Sequence, residues 1–183
     1  MNDEQAIRQV SSRLVYRNQW MSLREDEIER LDGVRGIYAV IDKPDFALVI
    51  PAERDGFHLV EEYRYPVGRR SWSFPQGAFP ADEDGSPEEL ARLELAQETG
   101  LRAATMTPLG FLNSAHGTIR QGFHAFLAED LEQGEPDREP EEQDMCQRFV
   151  TRAEFRQMIR DGAITDDSTV AAYTLLMLHD QQH

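Results

Sequence analysis

Ser86-Pro87-Glu88-Glu89-Leu90-Ala91-Arg92-Leu93-Glu94-Leu95-Ala96-Gln97-Glu98-Thr99-Gly100-Leu101 carries its own start and stop signals. Ser86 suits an N-cap, Pro87 the first helical position and Glu89 the third, where its carboxylate can answer the cap as a capping box. Gly100 suits the left-handed residue that ends a helix. In that helix Glu94, Gln97 and Glu98 stand at i, i+3 and i+4, so the three side chains leave one face about a turn apart. Two stacked carboxylates repel unless solvent screens them or a cation lies between. Taken alone the pair reads as a solvated acidic face. As a site, its hard oxygen donors suit Mg²⁺, with Mn²⁺ as a substitute.

Upstream of the helix, Ser12–Tyr16, Gly36–Ile41, Phe46–Ile50 and Phe57–Tyr65 are rich in β-branched and aromatic residues and predict strands, the last ending at Pro66. Downstream, Thr107–Leu112 and Gly122–Ala128 predict strands around the polar turn Asn113–Gly117, and Gln147–Thr151 a short final strand. Helices follow over Ala153–Arg160 and Asp166–Leu178. Strands, a helix, strands and terminal helices predict an α/β chain of the α+β type, a sheet with helices packed on it, rather than a doubly wound array.

Composition narrows the function classes. The 183 residues are 40% hydrophobic, enough for one core, and the expectation is a single domain over 1–183. No run approaches a membrane span, and Met1–Gln5 lacks the basic-then-apolar order of a signal peptide, so the expected location is cytoplasmic. A net charge of −15 argues against binding a nucleic acid polymer. The single cysteine, Cys146, and five scattered histidines make no zinc cluster, so any metal must sit among oxygens. Residues 129 to 144 hold nine acids against Arg138 alone and read as a solvated loop, or as one that closes over bound cations.

The segment from Gly77 to Leu101 resembles the Nudix box, G-x5-E-x7-R-E-U-x-E-E-x-G-U. Glu94, Leu95, Glu98, Gly100 and Leu101 match its second half position by position, whereas the first half matches only with two extra residues before Gly85. Leu93 stands where the family has arginine, Gln97 replaces one glutamate, and Gly85 takes the place of another. Leu59–Pro66 with Trp72–Gly77, and the run Ile159–Asp166 before the last helix, resemble the ADP-ribose pyrophosphatase branch, so the likeness covers roughly residues 36 to 178.

That resemblance implies a Nudix fold, a mixed sheet sandwiched by helices, with extra N-terminal strands, over residues 7–50, that pair in a homodimer. It implies metal-dependent hydrolysis of the diphosphate in a small nucleotide derivative such as ADP-ribose or a nucleotide sugar. Glu94, Gln97, Glu98 and the Gln76 carbonyl would hold the metal, and Glu141 or Glu142, on an acidic loop that Gln143 continues, would serve as base. Arg64, Gly77 and His116 would contact substrate. Two rivals stay open: a Nudix nucleoside triphosphate pyrophosphatase, and a degenerate module that senses a nucleotide derivative without cutting it.

Overall fold

The computed structural model describes residues 6–79, 85–138 and 143–181. The chain divides into two compact units, one made of residues up to Asp45 with Asn113–Gly122, the other of Phe46–Leu112 with Phe123 onward.

In the first unit β1 (Ile7–Arg17), β2 (Ser22–Arg30) and β3 (Arg35–Asp42) form an antiparallel meander, and the two-residue β9 (Ile119–Arg120) joins β3 in parallel. β2 is absent from the sequence reading because six of its nine residues, SLREDEIER, are charged. Its charges are matched across the strands: Arg8 pairs with Glu29 and Arg13 with Glu25, each at 2.9 Å. The sheet is thinly covered, with Leu14, Tyr16, Trp20 and Ile37 all more than half exposed.

In the second unit β4 (Phe46–Glu53) lies between β5 (Gly56–Arg64) and β10 (Gly122–Gln133), with β8 (Leu101–Asn113) beside β10 and β11 (Cys146–Thr151) beside β5. β4 runs parallel to β10 and antiparallel to β5, so the sheet is mixed. Two short strands edge it: β6 (Arg69–Ser73) on β5 and β7 (Gln76–Gly77) on β4. Alternation along β4 and β10 splits the core in two. Ala47, Val49, Phe126 and Ala128 face α1 (Pro87–Thr99) through Leu90, Ala91 and Leu95. Leu48, Ile50, Ala125 and Leu127 belong to the other core, with Phe155 of α2 (Arg152–Arg160) and Ala172, Tyr173 and Leu176 of α3 (Asp167–Asp180). A mixed sheet with helices on both faces is the expected α+β class.

The acidic stretch is less loop-like than its composition suggests. Residues 129–133 continue β10, and β8 starts at Leu101, directly after α1, rather than at Thr107. In β10 the ladder extends through polar residues, and in β8 through an alanine-containing stretch of weak strand propensity.

Candidate active site

α1 begins as its sequence dictates. The Ser86 hydroxyl accepts from Glu89 N at 3.2 Å while Glu89 Oε2 receives Ser86 N at 2.8 Å, and Gly100 closes the helix at φ 75°. The cap's hydrogen bonds from Ser86 hold the Glu89 carboxyl below its ordinary range. With the ends fixed, the helix presents Glu94 and Glu98 inward at 8% and 3% exposure, against an edge of the sheet. Carboxylates are rarely so buried, and a structural helix face would not spend two of them there.

What they face is β7. Gln76 N donates to Glu98 Oε1 at 3.4 Å. A Cβ added at Gly77 would lie 2.5 Å from the Glu94 carboxyl carbon and from both of its oxygens. Only glycine leaves room for that carboxylate. The sequence-derived set Gln76, Gly77, Glu94 and Glu98 is therefore one cluster in space. Gln97, half-buried on the same helix, uses its backbone carbonyl to receive Asp137 N at 3.1 Å. Arg92 is occupied elsewhere, on Glu88 Oε1 at 2.9 Å and the Ala103 carbonyl at 2.8 Å. It leaves Leu93 without a substitute for the family's arginine.

The Gln76 side chain leads from this cluster into a cleft of about 240 Å³, lined also by Arg64, Ser71, Ser73, Thr165 and Asp166. Gln76 Nε2 donates to Asp166 Oδ2 at 3.3 Å, and Gln76 Oε1 is buried with no hydrogen-bond partner among the described residues. Arg64 stands on the wall with its guanidinium 2.7 Å from Glu62 Oε1. Burial pushes the Glu62 carboxyl up from its ordinary value, and neighbouring Asp144 adds to that, against the pull of Arg64 and Arg70.

One described end of the acidic segment is tied to α1 and the other to β6. Arg138 donates through Nε to the Glu98 carbonyl at 3.1 Å and through Nη1 to the Met145 carbonyl. Gln143 Nε2 donates to the Arg138 carbonyl at 2.9 Å, and Arg70 holds Asp144 Oδ2 at 2.6 Å. Glu141 and Glu142 lie outside the described residues. His116 belongs to the other unit, exposed in the turn after Ala115, whose φ is 41°.

The sequence reading missed Asp166 and Arg138 as contacts of the cluster, and Thr165, Ser71 and Ser73 as lining of the cleft. The one available signal was Asp166 as cap of the last helix, which says nothing of Gln76 ninety residues away.

Among the described residues no three His, Cys, Asp or Glu side chains converge as a metal group. The donors that the structure does bring together are two buried carboxylates set against the Gln76–Gly77 backbone, hard oxygen ligands that fit a divalent cation of the magnesium type and not zinc.

Known proteins resemble this chain over most of its length. Residues 7–41 match the nucleoside diphosphate sugar hydrolase N-terminal domain, and residues 43–173 match the NUDIX domain. An ADP-ribose pyrophosphatase of Mycobacterium tuberculosis is 29% identical over 88% of this chain and 79% of its own length. An ADP-ribose pyrophosphatase of Bacillus subtilis and a methanol dehydrogenase activator of Bacillus methanolicus are each 24% identical over 93% of this chain and 92% of theirs. A crystal structure of an ADP compounds hydrolase superposes with a TM-score of 0.86 at 22% identity, covering 100% of this chain and 98% of that one. With the NUDIX match spanning residues 43–173 and the same fold in a solved hydrolase, the chain belongs to the Nudix hydrolase family.

Proposed function

We propose that this enzyme hydrolyses the diphosphate of a small nucleotide derivative, ADP-ribose foremost, with Mg²⁺ as its metal and Mn²⁺ as a substitute. The observation that carries the reading is the pair of nearly buried carboxylates, Glu94 and Glu98, turned onto the Gln76–Gly77 backbone beside an open cleft. The relatives named for ADP-ribose cleavage support the substrate class.

Water attacks one phosphorus, a new P–O bond forms, and the bridging P–O bond breaks with its electron pair leaving on the bridging oxygen. From ADP-ribose the products are AMP and ribose 5-phosphate. Glu94 and Glu98, with Gln97 and the Gln76 carbonyl, are the residues that would hold the cation. When bound, it neutralises phosphate charge that a chain of net charge −15 otherwise repels. Gly77 keeps the approach to Glu94 open. Arg64 on the cleft wall suits a phosphate oxygen pair, for which it would exchange Glu62. The water's proton passes to a carboxylate, which we assign to Glu141 or Glu142; Arg138 and Arg70 fix the described ends of their segment. His116 is kept as a substrate contact on sequence grounds.

We further propose a homodimer through β1–β3, supported by the exposed Leu14, Tyr16, Trp20 and Ile37 and by the match to a sugar-hydrolase N-terminal domain. A free, exposed Cys146 suits a reducing compartment, consistent with a cytoplasmic location.

The test is product release from ADP-ribose, other nucleotide sugars, dinucleotides and nucleoside triphosphates, with Mg²⁺, Mn²⁺ or excess EDTA. Metal-dependent cleavage of ADP-ribose above the triphosphates supports the assignment. Saturable binding without turnover under every metal overturns it in favour of a nucleotide sensor, for which Leu93 and Gln97 would then be the cause.

A further inference from the structure

The segment Phe74–Gly77, which supplies the floor of the acidic cluster, is held from two sides. On one side Pro75 O accepts Val49 N at 2.9 Å and β7 pairs with Ala47–Leu48 of β4. On the other lies the first turn of α3. Asp166, its N-cap, uses a single oxygen, Oδ2, to receive Thr169 N at 2.8 Å and Gln76 Nε2 at 3.3 Å. Thr169 is fully buried, and its hydroxyl accepts Phe74 N at 3.0 Å. The same turn thus grips the segment at residues 74 and 76, one residue either side of Pro75.

The two grips differ in what they control. Phe74 is fixed anyway: it is fully buried, stacked on Phe155 and edge-on to Phe57. Gln76 is only half-buried, beside the cleft, and its backbone N–H is the group that reaches Glu98 Oε1 at 3.4 Å. A glutamine side chain with free rotors would let the two-residue β7 shift, since it has just two ladder partners.

We propose that Asp166 is a positioning residue of the active centre: by holding the Gln76 side chain it sets the Gln76 backbone against Glu98, so that the end of α3 governs the geometry of a cluster on α1. Asp166 acts through its hydrogen bond to the Gln76 side chain. The inference rests on the metal assignment given under Proposed function only for its consequence, tighter cation binding, and not for the contact itself.

Asp166→Ser and Asp166→Asn separate the cap from the grip. Serine is as good an N-cap, but its single shorter oxygen is committed to Thr169 N and does not extend to Gln76. Asparagine caps equally well and offers a carbonyl oxygen where Oδ2 now lies. Two readouts are needed on the purified full chain without substrate: amide hydrogen exchange at Gln76, and Mn²⁺ affinity by EPR titration. The expected result for Asp166→Ser is an unchanged melting temperature, faster exchange at Gln76 and a roughly 10-fold weaker Mn²⁺ affinity, the usual scale for losing a contact behind a ligand. Asp166→Asn is expected to restore both to within about twofold, a rescue that a merely structural cap would not distinguish from serine.

Unchanged exchange at Gln76 in Asp166→Ser overturns the proposal whatever the enzyme's metal or substrate. Faster exchange with unchanged Mn²⁺ affinity overturns it too, by showing that Gln76 moves without consequence for the cluster. Wild-type protein that binds no Mn²⁺ is a different failure: it sinks the metal assignment, while the Gln76 exchange still reports on Asp166.

Discussion

Gly77 and Glu94 occupy adjoining space so closely that a Cβ at Gly77 would stand 2.5 Å from the carboxyl carbon and both oxygens of Glu94. No real side chain tolerates that approach, so either β7 or the carboxylate must move. β7 is tied to β4 and its neighbour Gln76 to Glu98, whereas Glu94 can rotate about its side-chain bonds. Gly77→Ala is therefore expected to turn Glu94 away from the cluster and cut kcat/KM at least roughly 10-fold, about 1.4 kcal/mol of transition-state stabilisation. Steady-state kinetics with ADP-ribose check it. Wild-type kinetics would mean that β7 yields instead.

Glu98→Gln is the sharper test of the pair, because the change is nearly isosteric and keeps an oxygen toward Gln76 N. Loss of activity of roughly 100-fold or more is expected at saturating Mg²⁺, with the far-ultraviolet spectrum and melting curve unaltered. Turnover at the wild-type rate would remove Glu98 from the metal set.

How much of this could be read beforehand follows from where the information sits. α1 was legible to the residue because Ser86, Pro87, Glu89 and Gly100 are local signals that act within one turn. The Glu94–Glu98 face followed from helical spacing. β2 was not legible, since what holds it is the ladder to β1 and β3 and the cross-strand pairs Arg8–Glu29 and Arg13–Glu25, all of which exist only once its neighbours are alongside. Nor was the grip of Asp166 on Gln76, or of Arg138 on Glu98, because each joins distant segments through one hydrogen bond that no periodicity records.

Arg138 is the one cation in an acidic stretch, and it bridges two backbone carbonyls, of Glu98 and Met145. Arg138→Ala leaves both without that donor and is expected to cost about 1–3 kcal/mol of stability. It should also lower kcat more than it raises KM, as the end of α1 loosens. Arg138→Lys should not restore it, since an ammonium lacks the planar fork that spans the two carbonyls. Denaturant unfolding alongside kinetics measures both. Loss of stability with kcat intact would confine Arg138 to a structural role.

Glu62 gives a pH signature. Burial raises its carboxyl in the folded state, so the folded protein favours the protonated form relative to the unfolded chain. The sign follows: stability from this group is complete below the unfolded value and is lost as pH rises through the raised one. Ionised Glu62 is thus a small burden at pH 7. Glu62→Gln is expected to raise stability there by no more than about 1 kcal/mol, after allowing for solvent screening and the lost Arg64 contact. The gain should shrink toward zero as pH falls below the ordinary glutamate range. Melting curves of both proteins across acid and neutral pH decide it; a gain that grows on acidification would refute the burial argument.

The apolar residues of β1–β3 make the dimer testable by one substitution. Ile37, the third residue of β3, is 68% exposed, so its apolar side chain contributes little to packing within the subunit. In a dimer that buries this sheet, Ile37→Asp would put an uncompensated charge into an apolar interface, costing several kcal/mol of association. Light scattering is expected to show a dimer for the wild type at micromolar concentration and a monomer for Ile37→Asp. A wild-type monomer would sink the dimer outright, while a variant that stays dimeric would move the interface away from β3.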